Sequence, residues 1–211
     1  MPPPPLLVLG TRNEKKREEL EGLLSSLGLR LRTLVDFPLA VEVVEDGDTF
    51  AANAAKKATE QARRLGQWVL GEDSGLVVDR LDGAPGIYSA RFAGLHATDD
   101  ENNRKLLEAL GNTTLEKRTA HYVCHATLAD PRGNVRADIE QVCKGRIRFR
   151  PAGTWGFGYD PLFEIVEYHR TLGQLGPHVK AAISHRARAM RGMKRRIERL
   201  LESGAWPAAR D

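Results

Sequence analysis

Residues 6–10 form a short apolar run, the pattern of a strand buried on both faces. The chain then turns polar, and Leu20, Leu23, Leu24 and Leu27 recur at helical spacing, so a helix opens at Asn13 and stops at Gly28. A strand followed at once by a helix argues for an α/β fold. Leucines alternate with Arg or Thr over residues 29–34, which fits a second strand. A turn then leads into an Ala-rich helix with Thr49 as its N-cap and Gly66 as its end. Apolar runs at 68–70 and 76–78 read as two strands around a tight turn that carries Glu72 and Asp73. Residues 99–110 read as a surface helix with Leu106, Leu107 and Leu110 facing inward.

The middle of the chain changes character. Residues 119–149 alternate and are rich in β-formers, with Asp130, Pro131, Arg132 and Gly133 as a hairpin turn. Near the end, Met190, Met193, Ile197, Leu200 and Leu201 form the buried stripe of a helix that starts near Ser184. No internal repeat and no separating linker is visible, and 211 residues suffice for one sizeable core. The chain is therefore read as a single domain, 1–211, with the proline-rich residues 1–5 as a loose leader.

Composition adds a few exclusions. The net charge is only +4, which suits a protein that handles small anions and does not demand nucleic acid. The positives cluster in residues 186–199, most simply as the solvated face of a helix. Cys124 and Cys143 lack the CxxC or His-pair spacing of a zinc site and read as free thiols. The opening residues carry no basic segment, and their apolar run is too short to cross a membrane, so a cytoplasmic protein is expected.

Four stretches carry candidate chemistry. In GTRNEKK (10–16) a strand ends and a helix opens, offering free backbone N–H groups and a positive helix end to an anion. Lys15 and Lys16 sit in that first turn, where the helix dipole disfavours cations and a bound polyphosphate would favour them. Taken alone, the stretch reads more readily as a capped helix with solvated lysines. Glu45, Asp46, Glu72 and Asp73 lie in turns, where acids suit Mg²⁺ shared with substrate phosphates. Asp46 and Asp48 have an ordinary turn explanation, whereas Asp73 between two apolar runs does not. The Gly-rich loop 153–161 carries Trp155, Phe157 and Tyr159, which either stack on a base or seal the loop. Lys180, His185 and Arg186 surround a helix start and present donors for a phosphate or a base carbonyl.

In chain order, T-x-N-x-x-K at Thr11, Asn13 and Lys16, Glu45-x-Gly-x-Thr-Phe with Asn53 following, EDSGLVVD, GAPGIYSAR, GFGYDP and SHR resemble the inosine triphosphate pyrophosphatase family, from Leu6 to about Leu201. The resemblance implies an α/β fold built as an elongated mixed β-sheet flanked by helices, with two lobes around a central nucleotide-binding cleft. It implies hydrolysis of ITP, dITP and XTP to the monophosphate and pyrophosphate, a requirement for Mg²⁺, and a homodimer. Position by position, it assigns residues 11–16 (Thr11, Arg12, Asn13, Glu14, Lys15, Lys16) and Lys57 to the phosphates. Glu45 and Asp73 become metal ligands, with Asp73 also the proton acceptor. Ser74, Phe157, Gly158, Tyr159, Asp160, Lys180, His185 and Arg186 become contacts to the nucleotide. No membrane and no nucleic acid is expected as a partner.

Several positions depart from the family pattern. Glu72 stands where the family generally has Asp, which counts against a direct metal role there. Arg12 replaces a common Gly, Trp155 replaces a smaller residue, and GQLGPHVK (173–180) lacks the acids often found before the matching lysine. Two other functions compete with the implied one: a pyrophosphatase for modified pyrimidine nucleotides, and nucleic-acid binding through the basic C-terminal helix.

Overall fold

The computed structural model describes residues 3–206. Its elements run β1 (Leu6–Leu9), α1 (Glu14–Leu24), β2 (Arg30–Thr33), α2 (Phe50–Leu65), β3 (Trp68–Val78), α3 (Asp99–Leu110), β4 (Thr119–Ala129), β5 (Val135–Ile147), β6 (Phe163–Ile165), β7 (Arg170–Thr171), α4 (Leu172–Ile183) and α5 (His185–Glu202). The strands form one sheet in the order β2-β1-β3-β4-β5-β6-β7. Strand β1 pairs in parallel with β2 and β3, whereas β6 pairs antiparallel with β5 and β7. This is the mixed, helix-flanked α/β sheet expected.

The chain divides into two compact units. The first comprises the residues up to Asp73, Cys124–Gln141 and the chain from Arg188 onward; the second comprises Ser74–Val123 and Val142–Ala187. In the first unit the period-2 alternation of the strands feeds two cores. Leu7, Leu9 and Leu70 join Leu20 and Leu24 of α1 and Met190, Met193 and Ile197 of α5. Leu6, Val8 and Val69 join Ala58 and Ala62 of α2. The second unit has its own core, built from Leu76, Val78, Leu106, Leu110, Tyr122, Phe163 and Leu172, among others.

Several expected local features are present. The Thr49 hydroxyl accepts the Ala52 N–H and Gly66 ends α2 with φ 63°, while α3 spans the residues expected of it. Asp130 and Gly133 close the β4–β5 hairpin through the Asp130 N–H to Asn134 and the Gly133 N–H to Asp130. Helix α1 is shorter than its apolar repeat: after Leu24 the turn tightens to a 3-10 segment that ends at Gly28. Of the expected leader, residues 1 and 2 lie outside the described residues; Pro5 accepts a hydrogen bond from the Arg30 N–H beside β1.

Two expectations are corrected. The acids at 72 and 73 do not sit in a turn, because β3 is one continuous eleven-residue strand. The glycine before them has another purpose. A Cβ on Gly71 would lie 2.4 Å from the Ala54 carbonyl oxygen and 2.6 Å from the Ala58 nitrogen, so its absence lets α2 lie on the strand. Residues 172–183, not assigned to any element from the sequence, form α4. Gly176 (φ 77°, ψ 173°) breaks it into two pieces, and Pro177 opens the second, where its missing N–H costs nothing. Among the described residues, no helix is long and apolar enough to cross a membrane.

Gly71→Ala tests the close approach of helix and strand. The added methyl meets backbone, which cannot swing aside, so a loss of about 1–3 kcal/mol is expected. It is read as a lower denaturant midpoint at unchanged slope.

Candidate active site

In the first unit, the junction of β1 and α1 is held by its own side chains. The Thr11 hydroxyl accepts the Asn13 N–H at 3.1 Å, and the Asn13 carboxamide oxygen accepts the Lys16 N–H at 3.0 Å, capping α1. Glu14 pairs with Arg17 one turn along, and Lys15 is exposed. The Lys16 ammonium instead reaches Glu72 Oε2 at 3.0 Å. Arg12 donates to the Ala40 carbonyl at 3.3 Å, tying this junction to the chain that precedes α2.

That preceding chain, residues 37–49, has no regular secondary structure and is strapped to α2. Arg64 and Gln61 donate to the Leu39 and Val41 carbonyls, and Lys56 pairs with Asp46 at 2.6 Å. Asn53 closes the strap, accepting the Gly47 N–H at 2.9 Å and donating to Asp73 Oδ2 at 3.4 Å. One turn further along α2, on the same face, Lys57 lies 3.0 Å from Asp73 Oδ1 and 3.2 Å from Glu45 Oε2. The carboxylates assigned to the metal are thus brought together on one ammonium. Asp46, read as an ordinary turn acid, is held by Lys56 instead.

Burial raises the pKa of Asp73 above the ordinary carboxylate range, and the neighbouring Glu72 adds to the rise against the pull of Lys57 and Lys16. For Lys57, burial acts to lower its pKa, but Asp73, Glu45 and Glu72 more than offset this and hold the ammonium above its usual value. A divalent cation fits this donor set. Two hard carboxylate oxygens already converge on a positive centre, and Mg²⁺ takes one or two protein carboxylates with its other positions left to water and phosphate oxygen. Among the described residues, no group of three or more His, Cys, Asp or Glu side chains is arranged to hold a metal by itself.

The second unit contributes a different set. Ser74, the residue after Asp73 on β3, accepts a hydrogen bond from Arg186 Nη2 at 2.9 Å. In the loop 153–161, Asp160 is buried and accepts both the Phe157 N–H at 2.9 Å and the Lys180 ammonium at 2.5 Å. Gly156 has φ 80°, and a Cβ there would fall 2.0 Å from Asp160 Oδ2, so only glycine lets the loop fold over that carboxylate. Gly158 is fixed from α3, where Asp99 accepts its N–H and Asn103 donates to its carbonyl, both at 2.9 Å.

The aromatic residues divide. Tyr159 is buried in the second core and its hydroxyl donates to the Ser89 carbonyl at 2.8 Å, so its ring seals the loop. Phe157 is half-buried, with the Lys180 ammonium 4.4 Å and the Arg186 guanidinium 5.7 Å from its ring centroid. Trp155 is exposed. His185, at the start of α5, lies flat on Tyr122 with centroids 4.6 Å apart and 10° between planes. The apolar stripe of α5 is fully buried at Met190, Met193 and Ile197, so its arginines belong to a docked helix.

Four participants were not singled out from the sequence: Tyr122 beneath His185, Cys124 beside Glu72, and Asp99 and Asn103 behind Gly158. The alternation of residues 119–129 places Tyr122 and Cys124 on one face of a strand, but it cannot say what lies opposite. Asp99 and Asn103 read as the polar face of a surface helix.

The model of the Ham1 family matches residues 7–196. The chain belongs to the Ham1 family. Among curated relatives, it is 52% identical over 202 residues to the dITP/XTP pyrophosphatase of Rhodopirellula baltica, covering 96% of this chain and 97% of that protein. It is 48% identical over 194 residues to that of an Exiguobacterium species, covering 90% and 96%. Among solved structures, a HAM1 protein from Coxiella burnetii superposes with a TM-score of 0.85 at 34% identity, covering 92% of this chain and 99% of that one. The nucleoside-triphosphatase, or dITP/XTP pyrophosphatase, of Mycobacterium abscessus gives 0.73 at 39% identity, covering 89% and 97%. The resemblance drawn from the motifs is therefore family membership, and the expected fold class is that of Ham1 structures.

The buried pair in this Ham1 chain makes a direct prediction. Lys180→Met leaves the Asp160 carboxylate buried without its ammonium and should cost about 3–5 kcal/mol in thermal or denaturant unfolding. Adding Asp160→Asn should recover part of that loss. Equal stability of Lys180→Met and the wild type would show that the pair is solvated.

Proposed function

We propose that the protein hydrolyses ITP, dITP and XTP to the nucleoside monophosphate and pyrophosphate, with Mg²⁺ as its metal and a homodimer as its assembled form. The observation that carries this reading is the meeting of Glu45 and Asp73 on Lys57, in a Ham1 chain whose curated relatives are named dITP/XTP pyrophosphatases. Glu45 and Asp73 would hold the Mg²⁺, which when bound supplies charge neutralisation for the phosphates and a lowered pKa for water.

The chain's own residues divide the remaining work. Asp73 orients a water toward the α-phosphorus and accepts its proton at the carboxylate. The new bond forms from the water oxygen to the α-phosphorus. The bond from that phosphorus to the bridging oxygen breaks, and pyrophosphate departs with the electron pair. Lys16, Lys57 and the first amides of α1 meet the charge of the leaving group. Asn53, bonded to Asp73 and to the turn at Gly47, fixes the carboxylate plane. Positioning and charge neutralisation contribute more than basicity, because a carboxylate beside a cation is a weak base.

Base selection falls to the loop 153–161 and the start of α5. Phe157 offers an aromatic face, and Arg186 and His185 offer donors matched to a 6-keto acceptor. An adenine presents an amino donor at that position, so buried donors would face one another. A site built on such matching discriminates by on the order of 10⁴-fold.

Pyrophosphate release across a panel of ITP, dITP, XTP, dUTP and m⁵UTP, with Mg²⁺ and with chelator, tests the reading. Turnover confined to the 6-keto purines and lost with chelator is expected; preference for dUTP or m⁵UTP would move the enzyme to pyrimidine nucleotides. No release from any of the three purines would overturn it. Asp73→Asn should lower kcat by about 10²-fold or more with nucleotide binding retained. Near-normal turnover would remove Asp73 from the chemistry.

A further inference from the structure

We propose that Glu72 is a positioning residue: it holds the Lys16 ammonium ready for the β- and γ-phosphates and is not a ligand of the metal. The inference rests on the pyrophosphohydrolase reading and gives a role to the second buried acid of β3.

The first ground is the strand itself. Residues that follow one another on a strand point to opposite faces. On β3, Val69 faces the core under α2, and Gly71 meets the backbone of α2. Asp73 continues that face and meets Asn53 and Lys57 of α2. Leu70 faces the other core, with α1 and α5, and Glu72 continues that face. The adjacent carboxylates are therefore turned away from each other.

The second ground is where the Glu72 oxygens go. Oε2 lies 3.0 Å from the Lys16 ammonium, and Oε1 accepts the Cys124 thiol at 3.4 Å from the neighbouring strand. The side chain is 1% exposed, against 18% for that of Lys16. A buried carboxylate with both oxygens directed at protein groups is placed to fix the lysine. The longer Glu side chain suits that task, since its acceptor must span from β3 to the first turn of α1.

The third ground is electrostatic. Lys16 sits in the first turn of α1, where the helix dipole repels a cation. Glu72 offsets that repulsion and confines a side chain that otherwise has large rotameric freedom. A cation already ordered loses less freedom when the phosphates arrive, so its contribution to binding the leaving group is larger.

A double-mutant cycle on the full chain tests this. Calorimetric titration with inorganic pyrophosphate and separately with IMP should show Glu72→Gln weakening pyrophosphate by about tenfold, the size of a lost close charge pair. IMP, which lacks the β- and γ-phosphates, should change by less than about twofold. In a Lys16→Met background the Glu72→Gln effect should vanish, because the residue it acts through is gone. Glu72→Asp, which keeps the charge and retracts it, should show a smaller loss that also disappears with Lys16→Met. That variant carries the test if Glu72→Gln does not fold. The Mg²⁺ concentration giving half-maximal ITP turnover should move by less than about twofold in Glu72→Gln or Glu72→Asp. Additive losses, or a large shift in that Mg²⁺ concentration, would overturn the proposal. Wild-type protein that releases no pyrophosphate from ITP would instead overturn the functional reading on which it stands.

Discussion

A strand buried on both faces must find a separate partner for each polar side chain it carries. Strand β3 meets this constraint with two buried carboxylates, one on each face. A buried charge is tolerated only with a counter-charge and hydrogen bonds, so each acid brings a lysine from a different helix: Lys57 from α2 for Asp73, Lys16 from α1 for Glu72. Helix α2 lies close enough to do this because the residue between Leu70 and Glu72 has no side chain.

The same constraint explains the strap before α2. Glu45 reaches the Lys57 ammonium only because residues 37–49 are held by a row of side chains from α2, with Arg12 adding a bond from the β1–α1 junction. A segment without regular structure thereby presents a carboxylate at a defined place. Its hydrogen bonds come from a helix that is itself committed to the core through Ala58 and Ala62. In the second unit, Asp160 has the corresponding role. It is buried, gathers Lys180 and the Phe157 N–H, and so orders the loop that carries the aromatic face. Each unit thus organises its chemistry around a buried acid held by a lysine.

Much of this was legible in the order of residues. Helix caps at Asn13 and Thr49, the stop at Gly66 and the hairpin at Asp130 are local events, decided by side chains within four residues of the backbone groups they satisfy. The family motifs were legible for the same reason, being contiguous. What misled was also local. Gly71 beside two acids looks like a turn, because a glycine needed for close approach of a helix is indistinguishable in sequence from one needed for a positive φ. Helix α4 escaped because Gly173, Gly176 and Pro177 are helix breakers except at the break itself, and only the packed chain shows where the break falls.

By itself, the sequence determined the alternation of strands and helices, the caps and the presence of lysines, acids and aromatics suited to a nucleotide triphosphate. These depend on spacing along the chain and on the chemistry of single residues. Tertiary structure decided which cation each acid receives, that Tyr159 lies in the core while Phe157 stays half-exposed, and that Tyr122 underlies His185. Those pairings join residues from 16 positions apart, for Lys57 and Asp73, to 63 apart, for Tyr122 and His185. They are settled by which strand faces which helix, a property of the folded sheet that no local pattern contains.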